Sequence, residues 1–356
     1  MKTLKDLLRK IAPTPVLLAW KRSHFDENQI IYKGQTYKYF LETAMDASRS
    51  EVIGDARELL IKNIQDEFLR NRTRPDEYLL YDFDKKNRVE RSEYLPQYLK
   101  DYFLFEQPKG SFLFNQLRDK YVSYKMVEPF FKRDVIRIST KSDWPQFESF
   151  IKKHKRFICK VIDSGCGVGI RIENAVDVTE AKALFEELID IGTWIIEELI
   201  IQNEEIASFC HTSVNTVRLP SFRHGDNVVQ AFPCMRFGRE GSIVDNAGQN
   251  GLFVSVDIAT GVIKTNGFDE LGYEYEKHPD SNVYFDGFRI PQWDDLLSMA
   301  KQVHLSLPKE HIYVAFDIAL SNKGWMIVEG NWGDWVMQQT SLKKGLKNEF
   351  VSLLKE

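Results

Sequence analysis

Asp317, Glu329 and Asn331 stand on two apolar segments, Ile312 to Ser321 and Trp325 to Asn331, that read as neighbouring strands around the turn Asn322-Lys323-Gly324. Gly324 suits the left-handed position that closes a three-residue hairpin loop, a register that pairs Ser321 with Trp325 and sets Asp317 opposite Glu329. Asn331, two residues on, shares that face. Two carboxylates and an amide oxygen converging in this way repel one another unless a cation sits between them. An all-oxygen set selects a hard ion such as magnesium, which normally keeps phosphate oxygens as its other ligands. The competing reading is a pair of acids balanced by lysines at a sheet edge. Loop length decides the geometry, because a two-residue loop sends Glu329 to the other face.

A second group could meet the phosphates. Phe157 to Ile172 reads FICKVIDSGCGVGIRI, two apolar strands joined by a loop carrying Ser164, Gly165, Gly167 and Gly169. Alternating glycines let backbone N–H groups come close to a phosphate, and Lys160 on the preceding strand can bring an ammonium to the same space. The spacing is neither the P-loop nor the Rossmann fingerprint, and a mobile hairpin tip with a solvated lysine is the plainer alternative. Trp194 to Ile201 places Glu197 and Glu198 in an otherwise apolar strand, which is costly unless they meet donors. An adenine amino group or a ribose hydroxyl would serve; so would salt bridges at a strand edge.

The elements that must hold these groups follow from periodicity. Residues 1 to about 110 are rich in charged and aromatic side chains, with helical spacing from Ala44 to Phe68, and carry no chemical motif. From about Ser111 the texture changes to a helix at Asn115 to Met126, a strand at Asp134 to Ser139, a helix capped by Ser142 or Asp143, and the strand beginning at Phe157. Asp177 and Glu180 open a further helix. Beyond Ser213 the chain is strand-rich, with one long helix from Trp293 to about Leu305.

A chain of 356 residues is long enough for about two domains or three subdomains enclosing a cleft. Its net charge of −4 offers no basic field for nucleic acid. Cys159, Cys166, Cys210 and Cys234 lack zinc-type spacing and fit free thiols in a reducing compartment, the cytoplasm by default. Leu4, Leu7, Leu8 and Ile11 at helical spacing suggest an ordinary amphipathic helix rather than a signal peptide, and no apolar run reaches membrane-spanning length. Nothing in the composition fixes an oligomeric state.

The strand lysine before a glycine loop, the acid-bearing strand, and the Asp strand followed by Glu-x-Asn occur in the chain order of the ATP-grasp superfamily. The C-terminal half resembles the sugar-transfer-associated ATP-grasp family in Ser213-Val-Asn-Thr-Val-Arg218, Asp245-Asn246 with Gly248 and Gly251, Val256-Asp-Ile-Ala-Thr-Gly261, His278-Pro279, Ile290-Pro-Gln-Trp293 and Phe316-Asp-Ile-Ala319. The resemblance covers about residues 110 to 340. It implies an α+β fold in which two subdomains, 111–202 and 203–356, clasp a nucleotide behind a mainly helical lead-in over 1–110.

It further implies that Lys120 and Lys160 contact ATP phosphates under the glycine loop, Glu197, Glu198 and Leu199 hold adenine, and Glu205 takes the ribose. Asp317, Glu329 and Asn331 would hold one or two magnesium ions. Amino-acid ligases of the superfamily often carry an arginine two residues before the metal aspartate; here that position is Ala315. Arg218 and Arg236 are the replacements expected to steady the reacting oxygens, and each could instead be a structural ion-pair arginine. Asn246, Gly248, Asn250 and His278 mark the expected substrate region. The implied chemistry is an ATP- and magnesium-dependent ligation of a small carboxylate to an amine or thiol through an acyl phosphate, in surface-polysaccharide or sugar-conjugate biosynthesis. The alternatives are a kinase acting on a sugar or alcohol, and a nucleotide-sensing scaffold without turnover.

Overall fold

The computed structural model describes residues 18, 21–32, 34–48, 52–162, 169–175, 177–333 and 335–355. The expected N-terminal amphipathic helix with Leu4, Leu7, Leu8 and Ile11, and Ser164, Gly165, Cys166 and Gly167 of the glycine loop, lie outside the described residues. The chain divides into two units, one made of residues up to 106 together with those of 334–351, the other of 107–333 with the residues after 351. The expected boundary near 110 falls close to the start of the second unit. Residues 335–351, by contrast, cluster with the N-terminal unit rather than with the strand-rich segment after 203.

Among the described residues the first unit is helical apart from a short hairpin, β1 (Ile31–Tyr32) with β2 (Gln35–Thr36), and its loops. The periodic stretch from Ala44 to Phe68 spans two helices, Tyr37–Ser48 and Gly54–Asn71, because Gly54 at φ +58° takes a left-handed turn that a helix interior does not allow. Tyr37, Phe68, Tyr78, Phe83 and Tyr94 form an aromatic core whose rings meet edge to face. Gln339 ties in the C-terminal segment: its side chain accepts from the Leu95 N–H at 2.7 Å and donates to the Tyr81 hydroxyl at 3.1 Å.

The second unit opens with helices Gly110–Arg118 and Lys120–Met126, where a single helix over 115–126 is expected. Asp119 divides them: its carboxylate accepts from the Tyr121 and Val122 N–H groups and starts the second helix afresh. Then come β3 (Val135–Ile138), β4 (Arg156–Val161), β5 (Ile170–Asn174) and β6 (Trp194–Glu198), an antiparallel sheet in the order β3-β6-β4-β5. Helices Trp144–Lys153 and Val178–Ile191 cover one face, burying Phe147, Phe150, Phe157, Cys159 and Phe185. Strand alternation therefore turns Ile158 and Lys160 to the other face.

The larger sheet comprises β7 (Thr216–His224), β8 (Asn227–Gln230), β9 (Cys234–Phe237), β10 (Leu252–Ser255), β11 (Gly267–Phe268), β12 (Glu274–Tyr275), β13 (Tyr313–Ser321) and β14 (Gly324–Asn331). Its order is β12-β11-β10-β9-β7-β13-β14, with β8 on β7. Helix Trp293–Ser306 backs one face, where the Ser221 hydroxyl meets His304 Nδ1 at 2.7 Å and the His304 ring stands edge-on to Phe316. Cys159, Cys210 and Cys234 are buried. No helix among the described residues is long and apolar enough to cross a membrane.

The β13–β14 hairpin corrects the expected register. Ser321 pairs with Gly324, not Trp325, so only Asn322 and Lys323 lie in the turn; Leu320 pairs with Trp325 and Ile318 with Ile327. A β-bulge then intervenes, with Val328 as the extra residue, and Asp317 pairs with Glu329, Phe316 with Gly330 and Ala315 with Asn331. The acids face each other as expected, but the bulge rather than the turn brings them together.

The strand that carries Lys160 depends on its apolar face. Phe157 is fully buried against the Phe147 and Phe150 rings. Phe157→Ala should cost about 3–5 kcal/mol, read as a lower urea midpoint followed by circular dichroism.

Candidate active site

Four neighbouring strands of the larger sheet build one polar face. Arg236 on β9 pairs with Thr216 on β7; Arg218, two residues along, pairs with Asp317 on β13; and Asp317 pairs with Glu329 on β14. All project from the side opposite helix Trp293–Ser306. Arg218 grips Asp317 in a fork, Nε on Oδ1 and Nη2 on Oδ2 at 2.9 Å, and Arg236 Nη2 adds a second bond to Oδ2 at 2.9 Å. Asp245 completes the cluster, accepting from the Thr216 N–H at 2.9 Å and the Thr216 hydroxyl at 2.5 Å, with Arg236 3.3 Å away.

Burial opposes ionisation of Asp317, which is 0% exposed, but the two guanidinium groups overcome it and hold the carboxyl at about 2. Burial raises the Glu329 carboxyl, and the Asp317 charge beside it raises it further. Asp245 is also pushed up by burial, against the pull of Arg236. Among the described residues two guanidinium groups thus face three carboxyls, an excess of acid that a proton on Glu329 or a bound cation would balance. The side-chain N–H of Asn331 donates to Glu329 Oε1 at 3.2 Å, and its Oδ1 is buried with no hydrogen-bond partner. An orphaned amide oxygen beside the Glu329 carboxyl, on the face that carries Asp317, is a donor set that fits a hard divalent cation.

Lys160 belongs to a second cluster. Its Nζ lies 3.0 Å from Glu197 Oε1, while Glu197 Oε2 accepts from Arg133 Nε at 2.8 Å. Burial opposes the Glu197 charge, but Arg133 and Lys160 hold the carboxyl at about 2. Lys120 donates to the carbonyl of Val161 at 3.0 Å, at the end of β4. Glu198 is salt-bridged to Lys323 at 2.7 Å and accepts from the Asp134 N–H. Leu199 follows half-buried, and Glu205 is exposed on the short helix Glu204–Ala207. Gly169 sits at φ +72°, where an added Cβ would come within 2.8 Å of Val161.

Arg236 reaches the expected substrate loop through Asn246 Oδ1, at 3.3 Å. Gly248 and Asn250 are exposed, and Asn250 and Ala247 line a cleft of about 300 Å³ together with Arg239, Glu240, Asp269 and Tyr275. His278 is fully buried against Phe237 and Phe285; Nε2 contacts the Gly238 carbonyl at 2.8 Å, and the Asp280 and Ser281 N–H groups approach Nδ1. With both nitrogens engaged, it holds a turn rather than touching a substrate. Sequence reasoning passed over Arg133, Thr216 and Asp245. Asp245 and Thr216 stand inside the quoted motifs, whereas Arg133, in the run Lys132-Arg133-Asp134, gives no local signal of a buried contact.

The chain belongs to the sugar-transfer associated ATP-grasp family, whose pattern it matches over residues 112–353. Its fold is ATP-grasp. Similar solved structures include a D-alanine-D-alanine ligase from Coxiella burnetii, at 7% identity, covering 61% of this chain and 48% of that one with a TM-score of 0.36. The D-Ala:D-Ser ligase from Enterococcus faecalis shows 14% identity over 67% and 61%, TM-score 0.40. N5-Carboxyaminoimidazole synthetase from Staphylococcus aureus, complexed with ADP, shows 11% over 64% and 52%, TM-score 0.39. The chain thus spans less than two thirds of the length of these proteins. The likenesses are distant, and membership of the family rests on the match over 112–353. No curated protein matches the sequence significantly.

The Glu197 cluster has a signature in acid. Its carboxyl is depressed, so it contributes stability above its ordinary range that is lost as pH falls from about 4.5 toward about 2. Glu197→Gln leaves Arg133 and Lys160 without their shared acid and should cost about 3–5 kcal/mol at pH 7. Urea unfolding across a pH series should also show a shallower decline over that acid window than in the parent protein.

Proposed function

We propose that this chain is an ATP- and magnesium-dependent ligase that joins a small carboxylate to an amine or thiol through an acyl phosphate. Its place would be the cytoplasmic assembly of surface polysaccharides or sugar conjugates. The observation that carries the reading is the unpartnered Asn331 Oδ1 beside Glu329, on the face where Asp317 already draws two arginines. Magnesium held by Asp317, Glu329 and Asn331 would neutralise the charge of the ATP phosphates. Family membership supports ATP as the nucleotide.

The chain's own residues then do the positioning. Lys160 keeps donors beyond the one that Glu197 takes, and with Lys120 it is assigned to the phosphates. Glu198 and Leu199 are assigned to adenine and Glu205 to the ribose, while Glu197, sequestered by Arg133 and Lys160, orients the lysine rather than the base. A carboxylate oxygen of the substrate bonds to the γ-phosphorus as the bond from that phosphorus to the β–γ bridging oxygen breaks, releasing ADP. The amine or thiol adds to the carbonyl carbon, phosphate leaves with the electron pair of its C–O bond, and the nucleophile's proton passes to solvent. Arg218 is assigned to the oxygens that gain charge. It lies beside Ala315 and Gly333, where an added Cβ on Gly333 would sit 3.1 Å from Arg218 Nη1. Arg236 holds Asn246, and with it the loop bearing Gly248 and Asn250, toward the same face.

The test is ADP release across pools of carboxylic acids with hydroxylamine present, where a hydroxamate product is expected. Turnover of an alcohol without hydroxamate identifies a kinase instead, and magnesium-ATP binding without turnover in any pool leaves a nucleotide-sensing scaffold. Glu329→Gln should lower turnover ~10²–10³-fold with the fold intact. Asp317→Asn should do the same and also reduce stability, because it strips two buried arginines of their acid. Full activity in Glu329→Gln sinks the metal assignment.

A further inference from the structure

Val328 has no partner on β13, and an extra strand residue leaves backbone groups outside the ladder. A buried carbonyl without a donor is costly. Here both carbonyls next to the bulge turn to one side chain: Arg133 Nη1 donates to Ile327 O at 2.6 Å and Nη2 to Val328 O at 3.4 Å. The same guanidinium binds Glu197 Oε2 through Nε at 2.8 Å and Nη2 at 2.7 Å, lies over the Phe131 ring at 4.4 Å, and belongs to a side chain only 1% exposed. Glu197 in turn holds Lys160 at 3.0 Å.

We propose that Arg133 is a positioning residue: it holds the bulge that turns Glu329 toward Asp317 and, through Glu197, fixes Lys160, so that one guanidinium sets both the metal end and the phosphate end of the site. The inference rests on the magnesium–ATP reading above. A guanidinium is suited to the task because its donors lie in a rigid planar fork, able to serve a carboxylate and two carbonyls together. A lysine at this position keeps the charge opposite Glu197 and loses that fork.

The register supplies an independent handle. Without the extra residue, the pairing that runs from the turn through Ile318 and Ile327 would continue unbroken, and deletion of Val328 places Glu329 next in line, still opposite Asp317. On that regular ladder Val328 and its carbonyl are gone and the turn alone sets Glu329 opposite Asp317, so the metal end no longer depends on Arg133 to hold a bulge.

The full chain is titrated with Mn2+ beside a non-hydrolysable ATP analogue, with free Mn2+ followed by electron paramagnetic resonance, and the analogue's affinity is measured separately without metal. Arg133→Lys should weaken Mn2+ binding about 10- to 100-fold, while metal-free affinity for the analogue stays within about threefold because the charge on Glu197 is kept. Combining Arg133→Lys with deletion of Val328 should return Mn2+ affinity to within about threefold of the parent, a rescue expected only if the two changes act on the same feature. Should Arg133→Lys fold too poorly to titrate, the double variant decides alone. Parental Mn2+ affinity in Arg133→Lys overturns the proposal, as does a double variant that stays weak with parental circular dichroism. A parent chain that takes up no Mn2+ beside the analogue sinks the metal reading itself, a result distinct from either failure of the variants.

Discussion

Whether Glu329 faces Asp317 or points toward helix Trp293–Ser306 depends on one unpaired residue in β14. Side chains alternate with a period of two, so a one-residue change of register exchanges the faces. The hairpin turn sets one register from Ser321 to Ile318, and the bulge at Val328 sets another from Asp317 to Ala315. Both are needed. The first packs Trp325, Met326 and Ile327 into the core, all nearly fully buried, and the second delivers Glu329 and Asn331 to the polar face. Bulges recur where a strand must re-aim a side chain, and here the re-aimed group is an acid placed beside another acid.

That placement is tolerable only because the opposing charges come from adjacent strands of the same sheet. Arg218 and Arg236 reach Asp317 across strand pairs, not through long flexible loops, so the forked contact is ordered by the ladder itself. Buried ion pairs add little stability on balance, since desolvation offsets most of the attraction. Their value here is geometric. Asp317 has a fixed orientation before any ligand arrives, and Glu329 is the acid on which burial and the neighbouring Asp317 charge favour a proton. Preorganised groups of this kind act on developing charge without reorganising at the moment of reaction.

Local pattern makes much of this readable from sequence. Short apolar runs mark β4, β6, β13 and β14, the stripe of Phe147, Phe150 and Ile151 marks its helix, and Asp177 caps the helix expected of it, accepting from the Thr179 and Glu180 N–H groups. The face-to-face pairing of Asp317 and Glu329 is also expected, though from a turn one residue longer than the real one; a bulge has no local signature that would reveal the error. Similarly, periodicity alone runs straight through Asp119 and Gly54, where capping and a left-handed turn divide what look like single helices. The long-range partners are the least readable. Arg133 joins residues 64 and about 195 positions away, and nothing in its neighbours distinguishes it from a solvated arginine.

Four of the side chains assigned to the nucleotide and its metal share one further property: each is already held by a partner of opposite charge or by a backbone carbonyl. Lys160 leans on Glu197, Lys120 on the end of β4, Glu198 on Lys323 and Asp317 on its two arginines. None of these contacts saturates the group that makes it, since an ammonium carries three donors and a carboxylate about four acceptor sites. A ligand therefore adds contacts to side chains whose rotamers are already fixed, and the ordering entropy that long charged side chains would otherwise lose on binding has largely been spent in folding. The same logic explains why Glu197 is buried despite carrying a charge: shielded from solvent, it keeps the Lys160 ammonium on the face of β4 that the apolar packing of Phe157 and Cys159 leaves open.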